Sequence, residues 1–161
     1  MKMTNFLLTL HVFGAIAGFG ATFAIPFIGA LAQKPGAPVA WFLRLVHTLT
    51  DRWVLIFAAL VMPGTGAGLI ITSQGLWDPF ASRNRWLLAA LILYTILFFF
   101  AILVQRSNGL KALKMAEAQQ FGPEFGALMK KVAMGGQFLT VLLVTIIILM
   151  VTKPGSGFIH P

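Results

Sequence analysis

The chain reads as an all-α integral membrane protein, a four-helix bundle, on three observations. Four stretches lack any charged side chain and are long enough to cross a bilayer, only 10% of residues are charged against 58% hydrophobic, and the mean hydropathy is +0.89. A soluble domain carries about a quarter charged residues, so that class is excluded, and so is disorder. The formal charge of +8 would suggest nucleic acid in a soluble protein, but here the apolar runs take precedence and no nucleic-acid partner is expected. The lack of cysteine removes disulfides, thiolate metal sites and cysteine nucleophiles together.

A hydrocarbon core of about 30 Å needs about 20 apolar residues of helix. Residues Phe6 to Ala32, Trp53 to Trp77, Trp86 to Val104 and Val132 to Thr152 are each free of charge. They place the spans at about 5–32, 53–73, 86–104 and 132–152 of a single transmembrane domain covering 1–161. Each must be helical, because lipid offers a backbone amide no other partner.

The first span follows Lys2 and ends in Ala30-Leu31-Ala32, which imitates a secretory signal, but a signal's apolar region runs only about 7 to 15 residues, so a retained span is expected. Within it Gly14 and Gly18, Ala17 and Ala21, and Gly20 and Ala24 are each four apart. Small-xxx-small spacing lets helices approach closely, which makes this span the expected central packing helix. Gln33 to Pro38 then forms a turn, with two prolines and a glycine that cannot continue a helix.

From Val39 to Arg52 the apolar residues Val39, Phe42, Leu43, Val46 and Leu49 recur at helical spacing, with Arg44, His47, Thr48, Asp51 and Arg52 on the other face. An interfacial helix in loop one is the expectation, with Asp51 able to accept from His47 or Arg44. Span two repeats the small-residue device at Gly64 and Gly68 beside Pro63, whose missing amide proton predicts a kink or local unwinding. Loop two, Ser73 to Arg85, is a connection edged by Trp77 and Trp86, both expected at the headgroup level. Span three holds Tyr94, the single tyrosine, expected as a packed residue.

Loop three, Gln105 to Lys131, is the largest polar segment. It is read as a break at Asn108-Gly109, a second short interfacial helix over Leu110 to Gln120, and another break at Gly122-Pro123. A juxtamembrane basic residue contributes about 1 kcal/mol of attraction to an anionic surface, so Lys111, Lys114, Lys130 and Lys131 are expected to face anionic lipid on the cytoplasmic side. Orientation follows from the same residues. Lys34, Arg44, Arg52, Arg106 and those four lysines lie in loops one and three, while the opposite side holds Lys2, Arg83, Arg85 and Lys153, which places both termini outside.

Chemistry has few places to reside. His11 is the ionisable exception inside a span, roughly 8 Å into the first one, on the face shared by Ala15, Gly18 and Thr22. Three readings are open for it: a hydrogen bond to a neighbouring helix, ligation of haem or copper, and relay of a proton. His47 falls at the opposite membrane face and His160 in a tail, so a bis-histidine haem within one chain is not expected. No zinc signature, nucleophile and base set, phosphate-cradling loop or dinucleotide fingerprint occurs, and no repeat supports an inverted-repeat transporter.

Leu10-His11-Val12-Phe13-Gly14-Ala15, Gly64 to Gly68, Trp86-Leu87-Leu88-Ala89 and Met150-Val151-Thr152-Lys153-Pro154 together resemble a family of bacterial predicted integral membrane proteins of unknown function. That family is distantly similar to the copper-resistance D type of membrane protein. The resemblance implies four helices and a bacterial inner membrane; from the copper-resistance relatives only His11 could inherit a metal role.

The sequence thus favours a multi-pass inner-membrane scaffold or accessory subunit without catalysis of its own, in a homo-oligomer or larger complex. The alternatives are a haem- or metal-binding redox or transport protein using His11, and a small-solute or proton permease at the Gly64 to Gly68 break.

Overall fold

Because lipid leaves the backbone only itself to bond with, the chain runs as four long helices: α1 (Met3–Ala32), α2 (Val39–Thr72), α3 (Ser82–Glu117) and α4 (Pro123–Thr152). The computed structural model describes residues 3–32, 38–73 and 76–155, apart from the side chains of 21, 24 and 26–32. Among the described residues there is no strand, and all four helices are long and apolar enough to cross a membrane. Helix α1 packs on the later half of α2, the early part of α2 on the end of α3, and α3 along α4, which in turn touches α1 and closes the ring.

All four helices are longer than a bilayer requires, α1 and α4 with 30 residues each reaching about 45 Å. At about 1.5 Å per residue, α2 with 34 residues and α3 with 36 reach about 50 Å, against a hydrocarbon core of about 30 Å. Both project at the same end of the bundle, and this corrects the expected short interfacial helices. Val39–Leu49 is not a separate helix. It continues straight into α2, and its Phe42 and Leu43 are buried against Ala112, Leu113 and Ala116 of α3.

Likewise Asn108-Gly109 is no break, since both residues lie inside the helical stretch Arg106–Glu117. A glycine in a helix interior costs about 1 kcal/mol relative to alanine. Burying one leucine contributes about 1.5–3 kcal/mol, and the extension of α3 carries Leu113 into the cluster together with two alanines. The break at Gly122-Pro123 does occur, with Gly122 capping α4 and Pro123 in its first turn, where a missing amide proton leaves nothing unsatisfied.

Inside the bilayer a separate cluster joins Phe19 of α1, Ala58 of α2, Ala90 and Leu97 of α3, and Leu143 and Ile146 of α4. Spans two and three carry π turns, Phe57–Val61 within this cluster and Thr50–Val54 and Ala101–Gln105 toward the projecting end. The expected distortion near Pro63 takes this form. In the π turn the Met62 amide donates five residues back, to the Phe57 carbonyl. The next donor in that register, to Ala58, would be residue 63, which as proline has no proton to give.

Loop two is pinned by Asn84, which is buried and whose Nδ2 donates to the carbonyls of Leu76 at 2.8 Å and Asp78 at 2.9 Å. Trp86 is buried against the bundle, 4% exposed. The Lys153 ammonium closes this end from above, 5.1 Å from the centre of the Trp77 ring.

Candidate functional site

Small side chains on α1 bring α2 close enough for a polar contact inside the membrane. A Cβ added at Gly18 would stand 2.5 Å from the Cβ of Phe57, and one at Gly14 2.8 Å from a methyl of Val61. On the facing helix a Cβ at Gly68 would stand 3.1 Å from the Leu7 side chain. Gly64 differs: it is exposed, and a Cβ there would meet nothing within 4 Å, so the expectation that it packs inside this bundle is corrected. It lies on the outer side of α2, while Gly66 faces inward, 3.6 Å from the His11 ring by the same measure. The side chain of Ala21 lies outside the described residues, as do Lys2, Lys34, Gly75 and His160.

Where α1 and α2 meet, His11 Nδ1 stands 2.7 Å from Thr65 Oγ1. The Thr65 hydroxyl is 2.5 Å from the Val61 carbonyl of its own helix, to which it donates. A hydroxyl has one proton, so its remaining role toward His11 is acceptor, and the imidazole donates from Nδ1. In the neutral imidazole that leaves Nε2 as the lone-pair nitrogen. Thr65 is itself buried, 6% exposed. The other threonines along the spans, such as Thr72, Thr95 and Thr145, donate back to the carbonyl four residues earlier and reach no neighbour.

Tyr94 supplies the second interhelical bond. Its hydroxyl on α3 donates to the carbonyl of Ala58, the group that Pro63 leaves without a donor. Gln105 supplies a third, donating from Nε2 to the Val132 carbonyl of α4 at 2.9 Å. The buried Gly135 beneath it admits the amide, since a Cβ there would stand 2.1 Å from Gln105 Oε1.

His47 is far from His11. It lies on the projecting part of α2, 18 residues before Thr65 and therefore about 27 Å away along the helix. It takes part instead in a charged cluster, with Nε2 3.5 Å from Asp51 Oδ2. Arg106 of α3 grips the same carboxylate with two bonds of 2.9 Å. Those bonds hold the Asp51 carboxyl below its ordinary range, against partial burial, which pushes it the other way, and with help from the charge of His47. Arg44, the other partner expected for Asp51, turns to Glu117 at 2.6 Å.

The four lysines expected at lipid separate. Lys111, Lys114 and Lys131 converge on a cleft of about 430 Å³ between the end of α3 and the start of α4, with Glu124 on its wall and Met115, Ala127 and Leu128 as apolar lining. Lys130 is exposed but does not line it. Among the described residues no group of three His, Cys, Asp or Glu side chains is placed to hold a metal ion.

Sequence reasoning missed Thr65, Gln105 and the pairing of Asp51 with Arg106. A threonine reads as one of many in a span, and a contact between residues 55 apart has no local signal. For Tyr94 a signal did exist, because Pro63 requires a donor from elsewhere and a lone tyrosine in another span can provide it.

A model of the family described as Predicted integral membrane protein (DUF2269) matches residues 5–154. No curated protein and no solved structure matches the chain.

Proposed function

The chain belongs to the DUF2269 family of predicted integral membrane proteins, and from that premise we propose that it is an accessory or scaffold subunit of a membrane assembly, a homo-oligomer or a larger complex. The observation that carries this reading is an outward stripe on α2. Leu60, Gly64, Ala67 and Ile71 recur at helical spacing on one face and all are exposed, Leu60 at 68% and Ile71 at 79%. Two small residues between large apolar ones make a shallow groove of the kind that admits a second helix in lipid. Inside the spans the polar groups of His11, Thr65 and Tyr94 are spent on holding helices together.

The distribution of charge supports a bacterial inner membrane with both termini outside, since eight of the twelve basic residues belong to loops one and three. On that side Lys111, Lys114, Lys130 and Lys131 would draw anionic lipid. The chain has no cysteine, so a single one can be introduced without background. Ala67→Cys, oxidised in native membranes, is expected to give a disulfide-linked homodimer or adducts when a cysteine is also placed on a co-purifying partner. A protein that purifies as a monomer with nothing attached, and gives no cross-link at Ala67 or Gly64, overturns the reading.

A second reading rests on His11. Its donation from Nδ1 to Thr65 orients the ring and leaves Nε2 able to coordinate, the usual arrangement of a ligating imidazole. Haem or copper would supply redox chemistry there. One nitrogen is not a complete set, so the other ligands would come from outside the residues described here. An absorption spectrum and metal analysis of protein purified without chelator test this directly: a Soret band or stoichiometric copper lost in His11→Ala supports it, and neither in the unaltered protein ends it.

A further inference from the structure

The basic residues at the projecting end of the bundle fall into two groups. Arg44 and Arg106 are neutralised by carboxylates, Glu117 and Asp51, across the contact between α2 and α3. Lys111, Lys114 and Lys131 surround one cleft whose wall offers only Glu124, and among the described residues none of the three has an ion pair of its own. The chain holds just four acidic residues, and two of them are used by the arginines. Three like charges around a single concavity repel one another unless an anion enters it.

The lining beside those charges is apolar. Met115 comes from α3, and Ala127 and Leu128 from the first turns of α4. Lys131 stands next to Val132, where the charge-free stretch of α4 begins, so the cleft opens at the level where that helix enters lipid. A volume near 430 Å³ exceeds what a bare ion occupies and lies in the range of small-molecule sites. Lysine binds phosphate as a point charge, and α3 contributes two of these lysines to the lining and α4 the third.

We propose that this cleft is a binding site for the headgroup of an anionic phospholipid, with Lys111, Lys114 and Lys131 around the phosphodiester and Met115, Ala127 and Leu128 against the glycerol and upper acyl carbons. Glu124 sets a limit on the charge accepted, leaving the lining at +2. The proposal sharpens the general attraction of this end for anionic lipid into one stoichiometric site, and it stands on the chain's place in a bilayer whether or not the protein is an accessory subunit.

The test is native mass spectrometry of the full chain in detergent, titrated with phosphatidylglycerol, with phosphatidylcholine as the neutral lipid. One phosphatidylglycerol should bind in preference to phosphatidylcholine, and each of Lys111→Gln, Lys114→Gln and Lys131→Gln should weaken it by about fivefold, the worth of one basic residue at an anionic surface. Lys130→Gln, next to Lys131 but outside the cleft, should change it less than about twofold on the same scale. Glu124→Gln should tighten binding, which a damaged fold would not do.

Equal losses for Lys130→Gln and Lys131→Gln would overturn the site while leaving the diffuse attraction intact. Binding of phosphatidylcholine as strong as that of phosphatidylglycerol would overturn both. Displacement of the lipid by inorganic phosphate at equal concentration would overturn the lipid as occupant and identify a free phosphate site.

Discussion

The bundle has two cores, and they are held together by opposite means. In the bilayer, Phe19, Ala58, Ala90, Leu97, Leu143 and Ile146 meet with glycine at the close approaches and with hydrogen bonds from His11 and Tyr94 between helices. Beyond it, Phe42, Leu43, Ala112, Leu113 and Ala116 form an ordinary water-excluding cluster, rimmed by the pairs Arg44–Glu117 and Arg106–Asp51. Lipid gives no hydrophobic drive for association, so the inner core depends on fit and on satisfied polar groups. The outer core lies at the margin of the bilayer, rimmed by charged pairs, and depends on apolar area removed from water. Helices α2 and α3 supply buried residues to both, while α1 and α4 supply them to the inner core and only flank the outer one, through Ile25 and through Phe125, Leu128, Met129 and Val132.

The largest effect is expected where water does the work. Phe42→Ala removes a buried ring from the outer cluster, a change that costs about 3–5 kcal/mol in an aqueous core. Amide hydrogen exchange should show residues 39–49 and 106–117 losing protection while 86–100 keeps it. If both regions lose protection together, the two cores form one cooperative unit and the comparison fails.

Next comes overpacking in lipid. Gly18→Val puts a branched side chain where even a Cβ would stand 2.5 Å from Phe57, and strain of this kind costs about 1–3 kcal/mol. Gly64→Val, on the outer side of α2 with open space, should leave the melting temperature of the isolated chain in detergent unchanged. A Gly18→Val protein that melts with the unaltered one would show that α1 moves freely against α2.

Smaller again is Tyr94→Phe. Interhelical hydrogen bonds in lipid average about 0.6 kcal/mol and reach about 1.7, and the upper part of that range is expected here because the Ala58 carbonyl has no substitute donor. Restoring the donor from the other side gives the matching control. Pro63→Ala returns an amide proton to α2, and in that background Tyr94→Phe should cost less.

How much of this was legible in the sequence differs between the two cores. The four spans could be read because lipid enforces one rule on every residue: no charge, and helix throughout. The inner glycines could be read as packing residues from spacing, but not which of them meets a neighbour, which is why Gly64 and Gly68 appear alike in sequence although only Gly68 lies against another helix. The outer core was misread because its amphipathic pattern, Val39, Phe42, Leu43 and Val46, is the same whether the apolar face meets lipid or another helix. What settles it is the partner face on α3, Ala112, Leu113 and Ala116, hidden behind an Asn108-Gly109 pair that looks like a stop. The same pair hides the lysine cleft: with α3 broken at Gly109, Lys111 and Lys114 would have no fixed relation to Lys131, and the unbroken helix sets all three on one cleft.

The smallest effect concerns the rim of the outer core, and its sign follows from Asp51. Its carboxyl is held below the ordinary 3.8 by the Arg106 bonds, so the folded protein keeps it charged at a pH where the unfolded chain has taken up a proton. The contribution is therefore fully present above about pH 4–5, falls away as the pH drops through the lowered folded value, and is absent in stronger acid. Asp51→Asn removes it at every pH. The difference in melting temperature between the two proteins should accordingly be largest near neutrality, where His47 and Arg106 face a full negative charge, and should shrink toward zero as the pH falls through the lowered folded value of Asp51. A constant difference across that range would mean that Asp51 acts through packing at the π turn and not through charge. The pair would then belong, in physical terms, to the inner core and not to the rim.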